Sequence, residues 1–161
     1  EEIKEQVPGI AARIVAKAWT DPDFKERLLK DAKATLAELG IETGTINHLM
    51  ALENTEKAHH VVVCTLCSCY PRQIMGHPPE WYKSDAYKNQ MTTNPRESLR
   101  EFGVELDEKM EIFIVDSTAD VRYLVIPRRP PNTTDLSEEE LAQFVTRDSM
   151  IGVGEALAPF D

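Results

Sequence analysis

All three cysteines of the chain, Cys64, Cys67 and Cys69, fall within six residues. Such a cluster cannot staple distant parts of a fold together as the disulfide framework of a small secreted domain does, so the chain has to rest on an ordinary buried core. Its 161 residues, 42% hydrophobic and 29% charged, are enough for one compact domain with an appendage and too few for a second full domain. The thiols therefore form a local site.

Charge narrows the partners. Eighteen basic against 28 acidic residues leave a formal charge of −10, which repels phosphate backbones and anionic lipid, so neither nucleic acid nor a membrane surface is expected. No apolar run is long enough to span a bilayer, and Glu1-Glu2-Ile3-Lys4 carries no signal-peptide pattern. The expected location is the cytoplasm.

Hydrophobic spacing predicts the elements. Apolar residues recur at helical intervals from Ile10 to Ala18, and Asp21-Pro22 supplies an N-cap and a first-turn proline for a second helix. Phe24, Leu28, Leu29, Ala32, Leu36 and Leu39 continue that stripe to Gly40, a natural C′ residue. Residues 1–45 thus read as an N-terminal helical arm, and 46–161 as a compact metal-binding, catalytic domain. Val61-Val62-Val63 is a β-branched run leading into the cysteines, which places them on a loop at a strand end. Helices are expected from Glu80 to Gln90 and from Pro95 to Phe102. Glu111 to Asp116 and Arg122 to Ile126 read as two strands, close enough in sequence to pair with each other. Ser137-Glu138-Glu139-Glu140 has capping-box spacing and opens a helix through about Thr146. The expected class is α+β, with mixed layers of helix and sheet.

Cys64-Thr65-Leu66-Cys67-Ser68-Cys69 is the most specific feature. Thiols at C-x-x-C-x-C spacing can converge on one ion when the loop folds back, and Cys69 can chelate through its sulfur and its own amide nitrogen. The Ser68 amide can add a second nitrogen. Three sulfurs and two nitrogens leave one octahedral position open, the mark of a catalytic rather than a structural site. Thiolates and anionic amides favour a trivalent first-row ion. The competing reading is a noncatalytic, zinc-binding interaction subunit with a Cys₃His site using His59, His60 or His77. An iron–sulfur cluster and an opportunistic disulfide fit the spacing less well.

The segment Val63-Cys64-Thr65-Leu66-Cys67-Ser68-Cys69-Tyr70-Pro71 resembles the metal-binding segment of the nitrile hydratase α-subunit family. Ala18-Trp19-Thr20-Asp21-Pro22, Glu53-Asn54-Thr55, Pro78-Pro79-Glu80-Trp81-Tyr82-Lys83, Arg122-Tyr123-Leu124-Val125 and Thr146-Arg147-Asp148-Ser149 also resemble family segments, in family order. The resemblance implies sulfur ligation by Cys64, Cys67 and Cys69 and nitrogen ligation by Ser68 and Cys69, with one metal ion per chain. It also implies oxidation of Cys67 to a sulfinic and Cys69 to a sulfenic acid. A β-type partner subunit in a hetero-oligomer would supply arginines to hold the oxidised sulfurs. Thr65 and Tyr70 resemble the cobalt branch, so the expected ion is cobalt(III). Asp116, Asp120 and Arg122 occupy positions like the family's supporting carboxylates and arginine around the site; a surface ion pair is the plainer reading of them.

Nitrile-hydrating members usually read Tyr-Pro-Trp-Pro after the cysteines, whereas this chain reads Tyr70-Pro71-Arg72-Gln73. An indole suits a neutral nitrile, and a guanidinium suits an anion. An arginine at this place fits the thiocyanate hydrolase γ subunit, which resembles the α subunit of the same family. The expected reaction is therefore thiocyanate hydrolysis to carbonyl sulfide and ammonia, with Cys67, Cys69 and Arg72 as catalytic residues and Arg72 binding substrate. Hydration of a nitrile to an amide is the alternative, and an interface salt bridge is the alternative for Arg72 itself. His77, where the family usually has Leu, is a second departure and is expected at the surface or an interface.

Overall fold

The computed structural model describes residues 7–44, 46–66 and 69–157. Cys67 and Ser68 lie outside the described residues.

Three helices open the chain. α1 (Gly9–Thr20) buries Ala11, Ile14, Val15 and Ala18, the stripe expected from spacing. Asp21 caps α2 (Pro22–Lys30) by accepting from the Phe24 N–H at 3.1 Å. The expected single second helix is divided: at Asp31 the backbone leaves helical geometry (φ −152°, ψ 89°), and the Asp31 carboxylate accepts from the Ala34 N–H at 3.2 Å, capping α3 (Ala32–Glu38). A side chain that competes for backbone donors interrupts a stripe that periodicity alone runs through. Gly40 then takes φ +76°, the left-handed turn that ends α3.

Four strands follow as two parallel pairs. β1 (His48–Glu53) pairs with β4 (Val121–Ile126), and β2 (Ala58–Val63) pairs with β3 (Glu111–Asp116). Both strands expected at 111–126 are present, but they do not pair with each other. In the short link between them, the Ser117 N–H donates to the Val63 carbonyl and the Thr118 N–H to that of Val121, so the chain leaves one pair and joins the other instead of turning back. The strand β1 was not expected. Its alternation of exposed His48 and Met50 with buried Leu49 and Ala51 is strand-like, yet too short to separate from a helical turn by pattern alone.

Between β2 and β3 run α4 (Arg72–Met75), a 3-10 turn (Glu80–Lys83), α5 (Asp85–Thr93) and α6 (Pro95–Glu101). The helix expected from Glu80 to Gln90 breaks at Ser84, whose hydroxyl accepts from the Tyr87 N–H and starts α5 afresh. The Ser137 capping box forms as expected, but α7 (Glu138–Ala142) stops early. Thr146 is the N-cap of a new helix, α8 (Arg147–Ile151).

One buried cluster joins the arm to the sheets: Ile14, Phe24, Leu28 and Leu36 pack with Val61, Val63, Leu124 and Ile126. Trp19 ties the arm to the exit of β4, its indole N–H donating to the Pro127 carbonyl at 2.8 Å while its own carbonyl accepts from Arg129.

Candidate metal centre

The cysteine loop starts where β2 ends. Val61, Val62 and Val63 are buried and carry Cys64 into the core, where its thiol is fully enclosed. Parallel register sets Asp116, the last residue of β3, beside Val63. From there the Asp116 carboxylate accepts the Thr65 backbone N–H at 2.8 Å and the Thr65 hydroxyl at 2.6 Å. Two bonds to one charged group hold the first turn of the loop, while the adjacent Leu66 stands 83% exposed.

The other end of the loop is held by two carbonyls. The Tyr82 phenol donates to the Cys69 carbonyl at 2.8 Å, and the Arg122 guanidinium to the Tyr70 carbonyl at 2.9 Å. Arg122 is itself steadied by its Nε–H donating to the Thr118 carbonyl at 3.1 Å. The Tyr70 and Tyr82 rings meet edge to face with centroids 5.2 Å apart, and Tyr82 lies against Tyr87. Burial pushes the Tyr82 phenol far above the usual tyrosine range, and the neighbouring Cys64 raises it further. It therefore remains a neutral donor at any working pH.

The residues present fit a sulfur-ligated metal. Cys64 and Cys69 offer soft donors, one buried and one half-buried, from a loop braced at both ends. Tyr70 and Ser117 place two buried hydroxyls near the Tyr82 phenol, so the surroundings of the sulfurs are polar rather than sealed by hydrocarbon. His59 and His60 are engaged elsewhere. His59 donates from Nε2 to the Gly152 carbonyl at 2.7 Å and meets the Asn54 amide at Nδ1, which uses both ring nitrogens. His60 bonds Asn54 and stacks on Phe113.

Of the residues expected around the site, the structure brings Asp116 and Arg122 to the loop. Asp120 lies at the start of the β1–β4 pair, its carboxylate accepting from the Asn47 amide at 3.0 Å and its carbonyl from the His48 N–H. Arg72 opens α4 three residues beyond Cys69; it is exposed, and its guanidinium donates to Nδ1 of His77 at 3.3 Å. The two departures from the nitrile pattern, Arg72 and His77, thus touch each other. By pattern alone Tyr82 reads as a packing aromatic and Ser117 does not stand out; a tyrosine among packing residues carries no local sign of which carbonyl its hydroxyl will reach.

The family profile described as nitrile hydratase, alpha chain, matches residues 1–154. The cobalt-containing nitrile hydratase subunit alpha of Pseudonocardia thermophila is 49% identical over 152 residues, covering 94% of this chain and 74% of that protein. The thiocyanate hydrolase subunit gamma of Thiobacillus thioparus is 42% identical over 157 residues, covering 91% of this chain and 65% of that protein. A solved double mutant of the Fe-type nitrile hydratase from Comamonas testosteroni Ni1 superposes with a TM-score of 0.90 at 42% identity, over 99% of this chain and 78% of that one. The chain belongs to the nitrile hydratase α-chain family. Among the described residues no helix is long and apolar enough to cross a membrane.

Proposed function

We propose that this chain is the metal-binding catalytic subunit of a thiocyanate hydrolase, converting thiocyanate and two waters to carbonyl sulfide, ammonia and hydroxide. The observation that carries this reading is Arg72, an exposed cation three residues past Cys69, supported by His77 where the family pattern has an apolar residue. Overall identity is higher to the nitrile hydratase subunit, 49% against 42%, and that supports the nitrile alternative. Whole-chain identity follows the scaffold, however, and substrate choice follows the few residues at the site.

In this reading Cys64, Cys67 and Cys69, with the amide nitrogens of Ser68 and Cys69, hold one cobalt(III) ion per chain. When bound, that ion supplies Lewis acidity that favours attack of water on the C≡N carbon. Cobalt is supported by the cobalt-containing relative and by Thr65 and Tyr70. Arg72 holds the thiocyanate anion. Cys67 as sulfinate and Cys69 as sulfenate would supply oxygens at the centre, that of Cys69 serving as nucleophile or base. Asp116 and Arg122 keep the loop in shape from within the chain, and Asp120 secures the strand start that leads to Arg122. A β-type partner supplies the arginines that hold the oxidised sulfurs, making the working protein a hetero-oligomer. Residues 46–161 carry the chemistry, and the arm, 1–45, braces it through α1 on α7 and α2 on β1.

The test is the assembled protein with its partner, assayed with thiocyanate and with simple nitriles, as wild type and as Arg72→Trp. Thiocyanate use should fall by about 30-fold or more in the variant, as when one member of a desolvated charge pair is lost, with cobalt content and cysteine oxidation retained. Arg72→Lys should be milder, because lysine keeps the charge but not the planar fork. Unchanged thiocyanate kinetics in correctly metallated Arg72→Trp would transfer the assignment to nitriles. Zinc with unmodified thiols in the wild type would replace the enzyme reading with an interaction subunit.

A further inference from the structure

We infer that Tyr82 is a positioning residue for the cysteine loop: its phenol, through one hydrogen bond to the Cys69 carbonyl, sets the orientation of the Cys69 donors. The inference rests on the metal-binding reading above.

The aromatic cluster contains an internal comparison. Tyr82 and Tyr87 are both buried, lie 6.0 Å apart between ring centroids, and each donates its hydroxyl to a backbone carbonyl at 2.8 Å. The acceptors differ. Tyr87 bonds Val62, which sits inside β2 opposite Val115 and is already held by the strand pair. Tyr82 bonds Cys69, which lies in a loop outside any strand or helix. At Val62 the phenol adds to a strand's own ladder; at Cys69 it acts on loop backbone.

Fixing the Cys69 carbonyl fixes the plane of the peptide that follows it. The next carbonyl, that of Tyr70, is fixed by Arg122. With two consecutive peptide planes held, the torsions of Tyr70 are set and the Cys69 Cα, which lies in the first plane, is held against rotation of the loop; the Cys69 amide nitrogen and the carbon bearing its sulfur are both bonded to that Cα. Chelation by those two atoms is sensitive to such a rotation, because both donors must be presented to one point. The Tyr70 ring packed edge-on against that of Tyr82 restrains the ring that carries the phenol.

The experiment compares wild type, Tyr82→Phe and Tyr87→Phe, each coexpressed with its partner and isolated as the assembled hetero-oligomer. Cobalt affinity is measured by competition with a chelator, the sulfur-to-metal charge-transfer absorption is recorded, and thermal unfolding is followed. Both variants lose one buried phenol–carbonyl bond, so their unfolding temperatures should fall by similar amounts. Only Tyr82→Phe should lose cobalt affinity, by about 10-fold, the usual range for outer partners of metal ligands, with a displaced or weakened charge-transfer band. Wild-type affinity and spectrum in Tyr82→Phe, or an equal loss in Tyr87→Phe, overturns the inference. Failure of Tyr82→Phe alone to assemble also overturns it, in favour of a purely structural phenol. Absence of cobalt from the wild type instead overturns the reading on which it stands.

Discussion

The Asp116 carboxylate takes both the backbone N–H and the hydroxyl of Thr65, at 2.8 and 2.6 Å, across 51 residues of sequence. The contact exists because β2 and β3 run parallel in a register that ends both strands together, at Val63 and Asp116. Parallel strands need a crossover, here the whole helical stretch from α4 to α6, and their shared C-terminal end is where such folds collect chemistry.

Asp116→Ala should therefore weaken cobalt binding by about 10-fold while leaving the strands paired, since the side chain is exposed and acts on the loop alone. Asp116→Asn should be milder, because the amide oxygen still accepts the Thr65 N–H and the Thr65 hydroxyl can rotate to accept from the amide nitrogen. Metal titration with far-ultraviolet circular dichroism checks both. A loss of secondary structure in Asp116→Ala would assign the carboxylate to the fold instead.

Arg122 bridges Tyr70 and Thr118 through two carbonyls. Arg122→Met preserves much of the side-chain bulk and removes both donors, and should lower stability by about 2 kcal/mol, near what hydrogen bonds from a charged group contribute. Chemical denaturation measures this. Cobalt content should fall in the same variant, and Arg122→Lys, with one donor restored, should lie between.

Gly152 follows α8 with φ +106°, and a Cβ there would lie 2.1 Å from the His60 carbonyl oxygen and 2.8 Å from the Val61 Cα. Gly152→Ala combines left-handed strain with a backbone clash against β2 and should cost about 3 kcal/mol or more. A reduced unfolding temperature or inclusion-body expression is the expected result, and near-native stability would contradict the close approach of α8 to β2.

Burial lowers the pKa of His59 below the ordinary 6.5, although its bond to the Gly152 carbonyl opposes the shift. His60 is lowered as well, by burial and then by His59. The unfolded chain then takes up these protons at a higher pH than the folded one, so stability is full above about pH 6.5 and declines as the solution is acidified below it. Thermal melts from pH 8 to 5 should show that decline, and His59→Gln should flatten it even if the variant is less stable throughout. An equally steep decline in His59→Gln would place the proton uptake elsewhere.

What the sequence by itself determined lies in residues close together along the chain. Three thiols within six residues define a donor set wherever they fold, the stripe from Ile10 to Ala18 requires an amphipathic helix, and Ser137 with Glu140 closes a capping box over one turn. Family membership was legible for the same reason, from short segments in order. Strand partners were not: β-branched runs such as Val61-Val62-Val63 state that a strand forms but not which strand lies beside it, so the two strands from 111 to 126 read as mutual neighbours although each joins a different partner. Only the tertiary structure brought Asp116 to Thr65, Tyr82 to Cys69 and Arg72 to His77. Contacts of the first two kinds join segments whose proximity depends on how distant apolar faces pack together. The third crosses only five residues, but it depends on the turn of α4 at Gly76, whose backbone conformation a residue pattern does not reveal.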